Sequence, residues 1–275
     1  MNHPILDAIN LTIEANQDTS HRNHLGASVI GDVCARKLWY GFRWATPIKH
    51  HARILRLFDR GKREEDVIVK HLESAFITVW QTDPQTKKQY RFVGYKGHFC
   101  GEIDGIGKGV LDEPYLLEFK THNDKSFAAL KSEGVALSKT NHYVQMQIYM
   151  GVFGLKQAVY IGVNKNDDDM YIETVEFEEQ CFKNFSERAA TIIDAPEPPP
   201  KISNNPSWYQ CKFCDHHAVC HGEASPLKNC RTCAHSTPIE NAEWHCEKDR
   251  TKAFPIIPVE TIKTGCNDYI QHPMK

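Results

Sequence analysis

Several features are missing from this 275-residue sequence, and each absence limits the kind of protein it can be. No stretch reaches the roughly eighteen consecutive apolar residues of a membrane-spanning helix, so we expect no membrane partner. The start of the chain lacks a basic segment followed by an apolar one, so we expect no signal peptide and a cytoplasmic location. The net charge of −2 gives no overall attraction to nucleic acid, so any such attraction must be local.

Cysteine, in contrast, is plentiful, with ten residues in the chain. Without a secretory signal, this number indicates metal binding rather than disulfide bonds. Cys100 and Cys181 stand apart, and we interpret them as small buried side chains. Cys34 stands alone near the start of the chain. The other cysteines form two groups, of which the first is Cys211, Cys214 and Cys220, and the second is Cys230, Cys233, Cys246 and Cys266.

The spacing within each group suggests ligands for a metal. The second group has one close pair and two further cysteines, which predicts a tetrahedral zinc site, with free thiols as the alternative. His235 or His245 could replace one of its cysteines. In the first group, a zinc site could take a fourth ligand from a nearby histidine (His216, His217 or His221). We therefore predict a domain over residues 1–222 and a small zinc-binding module over residues 223–275.

Residues 36–63 carry the local positive charge that the chain as a whole lacks. Nine lysines and arginines stand there against one acid, Asp59, and aromatic residues lie between them. Basic groups attract phosphate and aromatic rings stack on bases, so this segment is a candidate DNA contact. A solvated helix face above core aromatics is the alternative. The candidate DNA-binding residues are Arg36, Lys37, Arg43, Arg53, Arg56 and Arg60.

Hydrophobic periodicity indicates alternating helices and strands in the first two hundred residues. We predict a helix over residues 53–76 that is interrupted at Gly61. Strands are predicted over residues 98–104 and 115–121, joined by a glycine-rich turn. A further helix is predicted over residues 141–153, with Asn141 as its N-cap.

Two carboxylates and a lysine meet at the ends of these two strands. Asp104 ends the first strand, and Glu118 and Lys120 share one face of the second because alternate strand residues point the same way. Carboxylate oxygens suit Mg²⁺, which can activate a water and neutralise a phosphoryl oxygen. Read alone, a Glu-x-Lys pair is far more often a salt bridge.

Four motifs in order resemble the PD-(D/E)XK nucleases, specifically the RecB-like branch: Gly61-x-x-x-Glu65, Ile103-Asp104, Glu118-Phe119-Lys120 and Gln145-x-x-x-Tyr149. Ile103 stands where the family name has proline. The resemblance implies an α/β fold, with a restriction-endonuclease-like mixed β-sheet flanked by helices and followed here by an irregular Cys-rich extension.

The resemblance also implies a role for each residue of the site. Glu65, Asp104, Glu118 and the main-chain carbonyl of Phe119 would hold Mg²⁺ or Mn²⁺, and Lys120 would position the attacking water. Gln145 and Tyr149 would orient DNA or support the site. Glu64 is the alternative to Glu65 and His71 a weaker one.

Cys34 lies in a segment, Val33 to Tyr40, that resembles the N-terminal cysteine motif of iron–sulfur nucleases. These include the CRISPR-associated RecB-like exonucleases and the AddB-type helicase–nucleases. The resemblance implies that Cys34, Cys211, Cys214 and Cys220 hold a 4Fe–4S cluster that staples the ends of the nuclease core.

Together these resemblances imply a metal-dependent DNA exonuclease that acts on DNA with a free end. Recombination or end processing in a virus or mobile element is the implied setting, with a recombination, single-strand-binding or annealing protein as a partner. The alternatives are a CRISPR adaptation nuclease, a non-catalytic nucleic-acid-binding metalloprotein and a redox iron–sulfur protein.

Overall fold

The structure, a computed structural model, describes residues 3–248 and 256–273. Its helices are α1 (Pro4–Ala15), α2 (Ala35–Phe42), α3 (Ala52–Ser74), α4 (Asp124–Ser138), α5 (Thr140–Phe153), α6 (Glu179–Asp194), α7 (Tyr209–Lys212), α8 (His217–Cys220) and α9 (Val259–Thr264). Its strands are β1 (Leu25–Gly26), β2 (Thr78–Trp80), β3 (Arg91–Gly94), β4 (Phe99–Glu102), β5 (Gly105–Lys108), β6 (Tyr115–His122), β7 (Gln157–Asn164), β8 (Met170–Glu176), β9 (Ser236–Pro238) and β10 (Trp244–Cys246).

The chain divides into two compact units, and each is built from separate stretches of sequence. Unit 1 comprises residues 1–20, 48–92 and 102–182, and unit 2 comprises residues 21–47, 93–101 and 183–275. Residues 223–275, predicted as a separate module, thus lie in the same unit as residues 21–47. None of the helices in the described part of the chain combines the length and apolar character needed to cross a lipid bilayer.

Unit 1 contains a five-stranded mixed sheet in the order β2-β5-β6-β7-β8. The central strands β6 and β7 run parallel, and the other neighbours are antiparallel. The return from β6 to β7 is made by α4 and α5, as a parallel pair requires a long crossover. This arrangement confirms the predicted mixed sheet with flanking helices.

The two faces of this sheet differ in chemistry. On one face, Leu117 and Phe119 of β6 and Ile161 of β7 pack with Ile68 and Val69 of α3 in a buried apolar cluster. Alternation along β6 places Glu118, Lys120 and His122 on the other face, where α4 and α5 lie. The apolar face holds the sheet against α3 and leaves the polar face for chemistry.

Three local predictions were wrong. Gly61 does not interrupt α3, which runs without a break because its neighbours are good helix formers and one glycine costs only about 1 kcal/mol. The glycine-rich stretch after Asp104 is the strand β5 rather than a turn. A Cβ on Gly107 would lie 2.3 Å from Cε2 of Tyr115, so packing explains that glycine. The N-cap of α5 is Lys139 rather than Asn141.

Unit 2 is organised around two buried arginines. Arg43 donates to the carbonyls of Ala195, Arg231 and Ser236. The guanidinium group of Arg231 lies 3.9 Å from the ring centroid of Trp44. Main-chain oxygens and aromatic faces thereby stabilise these cations.

Candidate active site

The polar face of β6 carries a buried carboxylate with two side-chain donors. Glu118 is fully buried, and Lys120 donates to its Oε1. Gln145, on α5, donates from Nε2 to Oε2 of the same carboxylate at 3.1 Å. Each carboxylate oxygen thus has its own donor, one from the strand and one from the helix.

Asp104 joins this pair from the residue just before β5. The prediction that it ends the preceding strand was wrong, because that strand, β4, ends at Glu102. Its Oδ2 accepts a hydrogen bond from the main-chain N–H of Phe119 at 2.8 Å and lies 3.9 Å from Nζ of Lys120. Lys120 also donates to the carbonyl of Phe119 at 3.1 Å. The oxygens of Glu118, Asp104 and Phe119 therefore converge on one ammonium group.

Glu65 is the third acidic participant, and it lies on α3. Burial raises the pKa of its carboxyl, and the negative charge of Asp104 raises it further while Lys120 opposes the rise. The negative charge of Glu65 in turn raises the pKa of Glu118 and that of Lys120. The structure therefore brings Glu65 together with the core motif.

Burial dominates the electrostatics of the site. It raises the pKa of Glu118, and the charge of Asp104 adds to this while Lys120 opposes it. For Lys120, burial alone would lower the pKa, but the charges of Glu118 and Asp104 outweigh it and raise the pKa. A charged lysine at the focus of the carboxylates is the favoured state without metal.

The donor chemistry of this site suits a hard divalent cation. Mg²⁺ prefers oxygen ligands and Mn²⁺ accepts them too, and carboxylates and a main-chain carbonyl supply them here. Even so, within residues 3–248 and 256–273 no three histidine, cysteine, aspartate or glutamate side chains are grouped to hold a metal ion. The position of Lys120 gives a physical reason, because its ammonium takes the place at which the oxygens converge.

Tyr149 lies one turn beyond Gln145 on α5, as the motif spacing predicts. It is buried, and its ring meets that of Phe92 edge-on at 6.0 Å. In this structure Gln145 therefore contacts the acidic site directly, while Tyr149 contributes to the packing beneath it.

The six candidate DNA-binding residues have different environments. Arg36 and Arg43 are buried, and Arg36 donates to carbonyls of Pro198 and Pro199. Both guanidinium groups are thus engaged inside the protein. Lys37 pairs with Asp32 at 2.7 Å.

The remaining three candidates lie on α3. Arg53 is exposed. Arg56 is also exposed and donates to Asn10. Arg60 donates to the carbonyl of Lys165 at 2.7 Å. These three arginines lie on the helix that also carries Glu65. They therefore belong to unit 1 together with the acidic site, whereas Arg36, Lys37 and Arg43 belong to unit 2.

The first cysteine group lies around a single cavity in unit 2. The cavity has a volume of about 200 Å³, and its lining includes Cys34, Cys211, Cys214, Cys220 and His216. Burial raises the pKa of the Cys211 thiol, and Cys220 and Cys34 raise it further, so these thiols are neighbours. The predicted fourth member, Cys34, is thus brought to the other three across the sequence.

The second cysteine group also comes together in unit 2. Burial raises the pKa of Cys230 to about 11, and Cys266, Cys233 and Cys246 each raise it further. Cys230 donates from its thiol to the carbonyl of Thr261 at 3.2 Å. The four thiols are neighbours, although they are not grouped as a metal site in the described residues.

Sequence analysis missed a set of polar residues beside Glu118. His122 and His142 each make a 2.9 Å hydrogen bond to the hydroxyl of Tyr160. His122 lies two residues after Lys120, so the two share a face of β6. His142 lies three residues before Gln145, so these two share a face of α5. Those spacings were the only sequence signal.

Comparison with known proteins gives one family match. A profile of the PD-(D/E)XK nuclease superfamily matches residues 43–221. A search of curated protein sequences found no match.

Solved structures give matches at low sequence identity. The structure of SSO0001 is 15% identical, with a TM-score of 0.43, covering 83% of this chain and 100% of its own. LHK-Exo, an alkaline exonuclease from Laribacter hongkongensis, is 13% identical, with a TM-score of 0.43, covering 68% of this chain and 90% of its own. LHK-Exo in complex with dAMP is 12% identical, with a TM-score of 0.44, covering 62% and 86%.

Proposed function

Because the chain belongs to the PD-(D/E)XK nuclease superfamily, we propose that it hydrolyses phosphodiester bonds of DNA with Mg²⁺ or Mn²⁺ as cofactor. The observation that carries this proposal is the convergence of the Glu118, Asp104 and Phe119 oxygens on Nζ of Lys120. Asp104, Glu118, Glu65 and the carbonyl of Phe119 would hold the metal. When bound, such a cation supplies an activated water and neutralises charge on the phosphoryl group.

The side chains around this focus would divide the remaining work. Lys120 would leave the carboxylate of Glu118 when the metal binds, and would then orient the attacking water and offset phosphate charge. Gln145 would keep the Glu118 carboxylate in place through its hydrogen bond to Oε2. The Phe119 N–H would fix Asp104 through its hydrogen bond to Oδ2.

We further propose that cleavage is exonucleolytic and needs a free DNA end. The support is the Gln145-x-x-x-Tyr149 motif, which resembles that of the RecB-like branch, together with the basic face of α3. Arg53 and Arg56 would contact the phosphate backbone, because they are exposed on the helix that also carries Glu65.

The test compares linear and closed circular DNA of the same sequence, with Mg²⁺ or Mn²⁺. We expect release of short products from end-labelled linear DNA and none from the closed circle. Asp104→Ala and Lys120→Ala should abolish release of products. The control is Lys125→Ala, which removes an exposed lysine on α4 and should leave release unchanged. No cleavage by the wild type, or cleavage unaffected by the first two substitutions, would contradict the nuclease proposal.

For the first cysteine group, we propose a 4Fe–4S cluster bound by Cys34, Cys211, Cys214 and Cys220. The support is that all four line one cavity. A cluster occupies volume and takes one thiolate at each corner, so its ligands surround a space rather than a point. Zinc with His216, His217 or His221 is the alternative.

For the second group, we propose a structural zinc ion bound by Cys230, Cys233, Cys246 and Cys266. The support is their mutual proximity, seen in the pKa of Cys230. Iron, sulfide and zinc measured together in anaerobically purified protein test both proposals. Four irons and four sulfides with one zinc per chain are expected. Protein that contains two zinc ions and no iron would contradict the cluster proposal and indicate that the first group binds zinc.

A further inference from the structure

A chain of hydrogen bonds crosses the polar face of the sheet beside Glu118. Ser126 on α4 bonds to Nδ1 of His122 at 3.1 Å, and Nε2 of His122 bonds to the hydroxyl of Tyr160 at 2.9 Å. The same hydroxyl bonds to Nδ1 of His142 on α5 at 2.9 Å. The chain thereby joins α4, β6, β7 and α5, and the roles proposed above use none of its members.

The register of the two central strands builds this chain. Glu118 pairs with Tyr160, and Lys120 pairs with Gly162, so these residues share one face of the sheet. Gly162 has no side chain, and a Cβ there would lie 3.2 Å from Cδ2 of His122. The imidazole of His122 can therefore lean across β7 to reach Tyr160.

The hydroxyl of Tyr160 is shared by two neutral imidazoles. Burial lowers the pKa of His122 to about 4 and that of His142 to about 3, so both rings are neutral near pH 7. The buried hydroxyl of Tyr160 can both donate its proton and accept hydrogen bonds, so it can serve both neutral rings. Loss of this hydroxyl would leave two ring nitrogens without their partner, which is costly in a buried site.

The same helix carries the contact to Glu118. His142 and Gln145 are three residues apart on α5 and therefore lie on one face of it. Gln145 bonds to Glu118, and His142 bonds to Tyr160, which is the strand partner of Glu118. Two polar contacts, one turn apart, thus join this face of α5 to two residues that lie side by side on the sheet.

We propose that Tyr160 and His142 are positioning residues, whose hydrogen bond fixes α5 on β7 so that Gln145 holds the Glu118 carboxylate ready for a divalent cation. The inference rests on the proposed function of the acidic site. Neither residue touches the reacting phosphate, and both act through Gln145.

A double-mutant cycle tests this role with Tyr160→Phe, Gln145→Ala and the combined variant. Each is measured for Mn²⁺ affinity by calorimetry and for kcat and KM on linear DNA. Tyr160→Phe should weaken Mn²⁺ binding about fivefold and lower kcat about tenfold with KM unchanged, as expected when a buried hydroxyl and its hydrogen bonds are lost. In the Gln145→Ala background, Tyr160→Phe should change neither quantity by more than about twofold.

His142→Ala should lower Mn²⁺ affinity and kcat in the same direction as Tyr160→Phe, because each substitution removes the bond between His142 and the Tyr160 hydroxyl. Tyr171→Phe is the matched control, since it removes a hydroxyl that bonds to Glu173 in the neighbouring strand β8. It should leave Mn²⁺ affinity and kcat unchanged.

The possible results separate this inference from the nuclease proposal. A full effect of Tyr160→Phe in the Gln145→Ala background, or none in the wild type, would overturn the positioning role. Wild-type protein that binds Mn²⁺ but leaves DNA intact would contradict the nuclease proposal alone. The Mn²⁺ affinities of the double-mutant cycle would still decide the positioning role. Wild-type protein that binds no Mn²⁺ would overturn both.

Discussion

The ammonium group of Lys120 is the counter-charge of the buried Glu118 carboxylate, two residues away on the same face of β6. It lies where the oxygens of Asp104 and Phe119 also point. A divalent cation at this focus would meet the same oxygens, so under the proposed function the ammonium and the metal would compete for one place.

This competition predicts the thermal response of Lys120→Ala to metal. Loss of one partner of a buried ion pair should lower the unfolding free energy without metal by about 3 kcal/mol. Mn²⁺ should then raise the melting temperature of Lys120→Ala more than that of the wild type, because no ammonium has to move. The variant should not cleave DNA. Differential scanning calorimetry checks the shift, with Lys125→Ala as control, and equal shifts in all three proteins would refute the competition.

Asp104 has two roles that two substitutions can separate. Its carboxylate charge would bind metal, and its Oδ2 accepts the N–H of Phe119. Asp104→Asn keeps an acceptor, so it should stay within about 1 kcal/mol of wild-type stability. Asp104→Ala leaves a buried N–H unpaired and should lose about 1–3 kcal/mol. Urea unfolding measures both, and both should lack cleavage. Equal stability losses would show that the Phe119 contact is unimportant.

Arg53 and Arg43 should respond in opposite ways to substitution by alanine. Arg53 is exposed on α3, so Arg53→Ala should reduce the salt dependence of DNA binding by about one phosphate contact and leave stability unchanged. Arg43 is buried among carbonyls, so Arg43→Ala should lower the unfolding free energy by about 3 kcal/mol. Fluorescence anisotropy at several salt concentrations, with urea unfolding, checks both. A stable Arg43→Ala protein with a reduced salt slope would reverse these roles.

The lowered pKa of buried His98 predicts that the protein loses stability in mild acid. Burial, aided by the charge of Arg231, lowers its pKa to about 4. Below the ordinary histidine pKa of about 6.5, His98 binds a proton in the unfolded chain but not in the folded protein. The unfolding free energy therefore falls as the pH drops from about 6.5 to about 4. His98→Gln should flatten this fall by up to about 1.4 kcal/mol per pH unit. Urea unfolding across this range measures the slope.

The control for His98→Gln is Trp244→Phe, because the ring of Trp244 packs against His98 and does not titrate. That substitution should lower stability equally at every pH. If both variants keep the wild-type slope, His98 is not the source of the acid sensitivity.

The two cysteine groups predict separate effects on metal content. Cys220→Ser should remove iron and leave zinc, and Cys233→Ser should do the reverse. Cys181→Ser should change neither, since Cys181 belongs to neither group. Metal analysis of the purified variants gives the answer, and joint loss of iron and zinc in either variant would contradict two independent sites.

Local patterns predicted the elements of unit 1 well because strand alternation and helix periodicity are local. The strand predicted over residues 115–121 is β6, and the charged pair shares a face as expected. The role of Gly107 could not be predicted, because it depends on the ring of Tyr115 in the next strand. The two-histidine contact to Tyr160 likewise depends on the parallel register of β6 and β7, which no single stretch reveals.

Charge patterning was less informative than periodicity. Arg43 lies in a basic segment, but its partners include a carbonyl 188 positions further along the chain. Burial of that kind is set by long-range contacts. The choice between a viral recombination setting and a CRISPR setting stays a prediction, because it depends on neighbouring genes rather than on the fold.

The discontinuous units also bear on how the protein is made. Unit 1 ends at residue 182, whereas unit 2 joins residues 21–47 to residues 183–275. Its helix α2 carries Trp39 and Phe42, which pack against His272 and Trp244. Because Trp39 and Phe42 are synthesised well before these partners, the growing chain carries unpaired aromatic rings at a stage when exposed apolar surface favours aggregation.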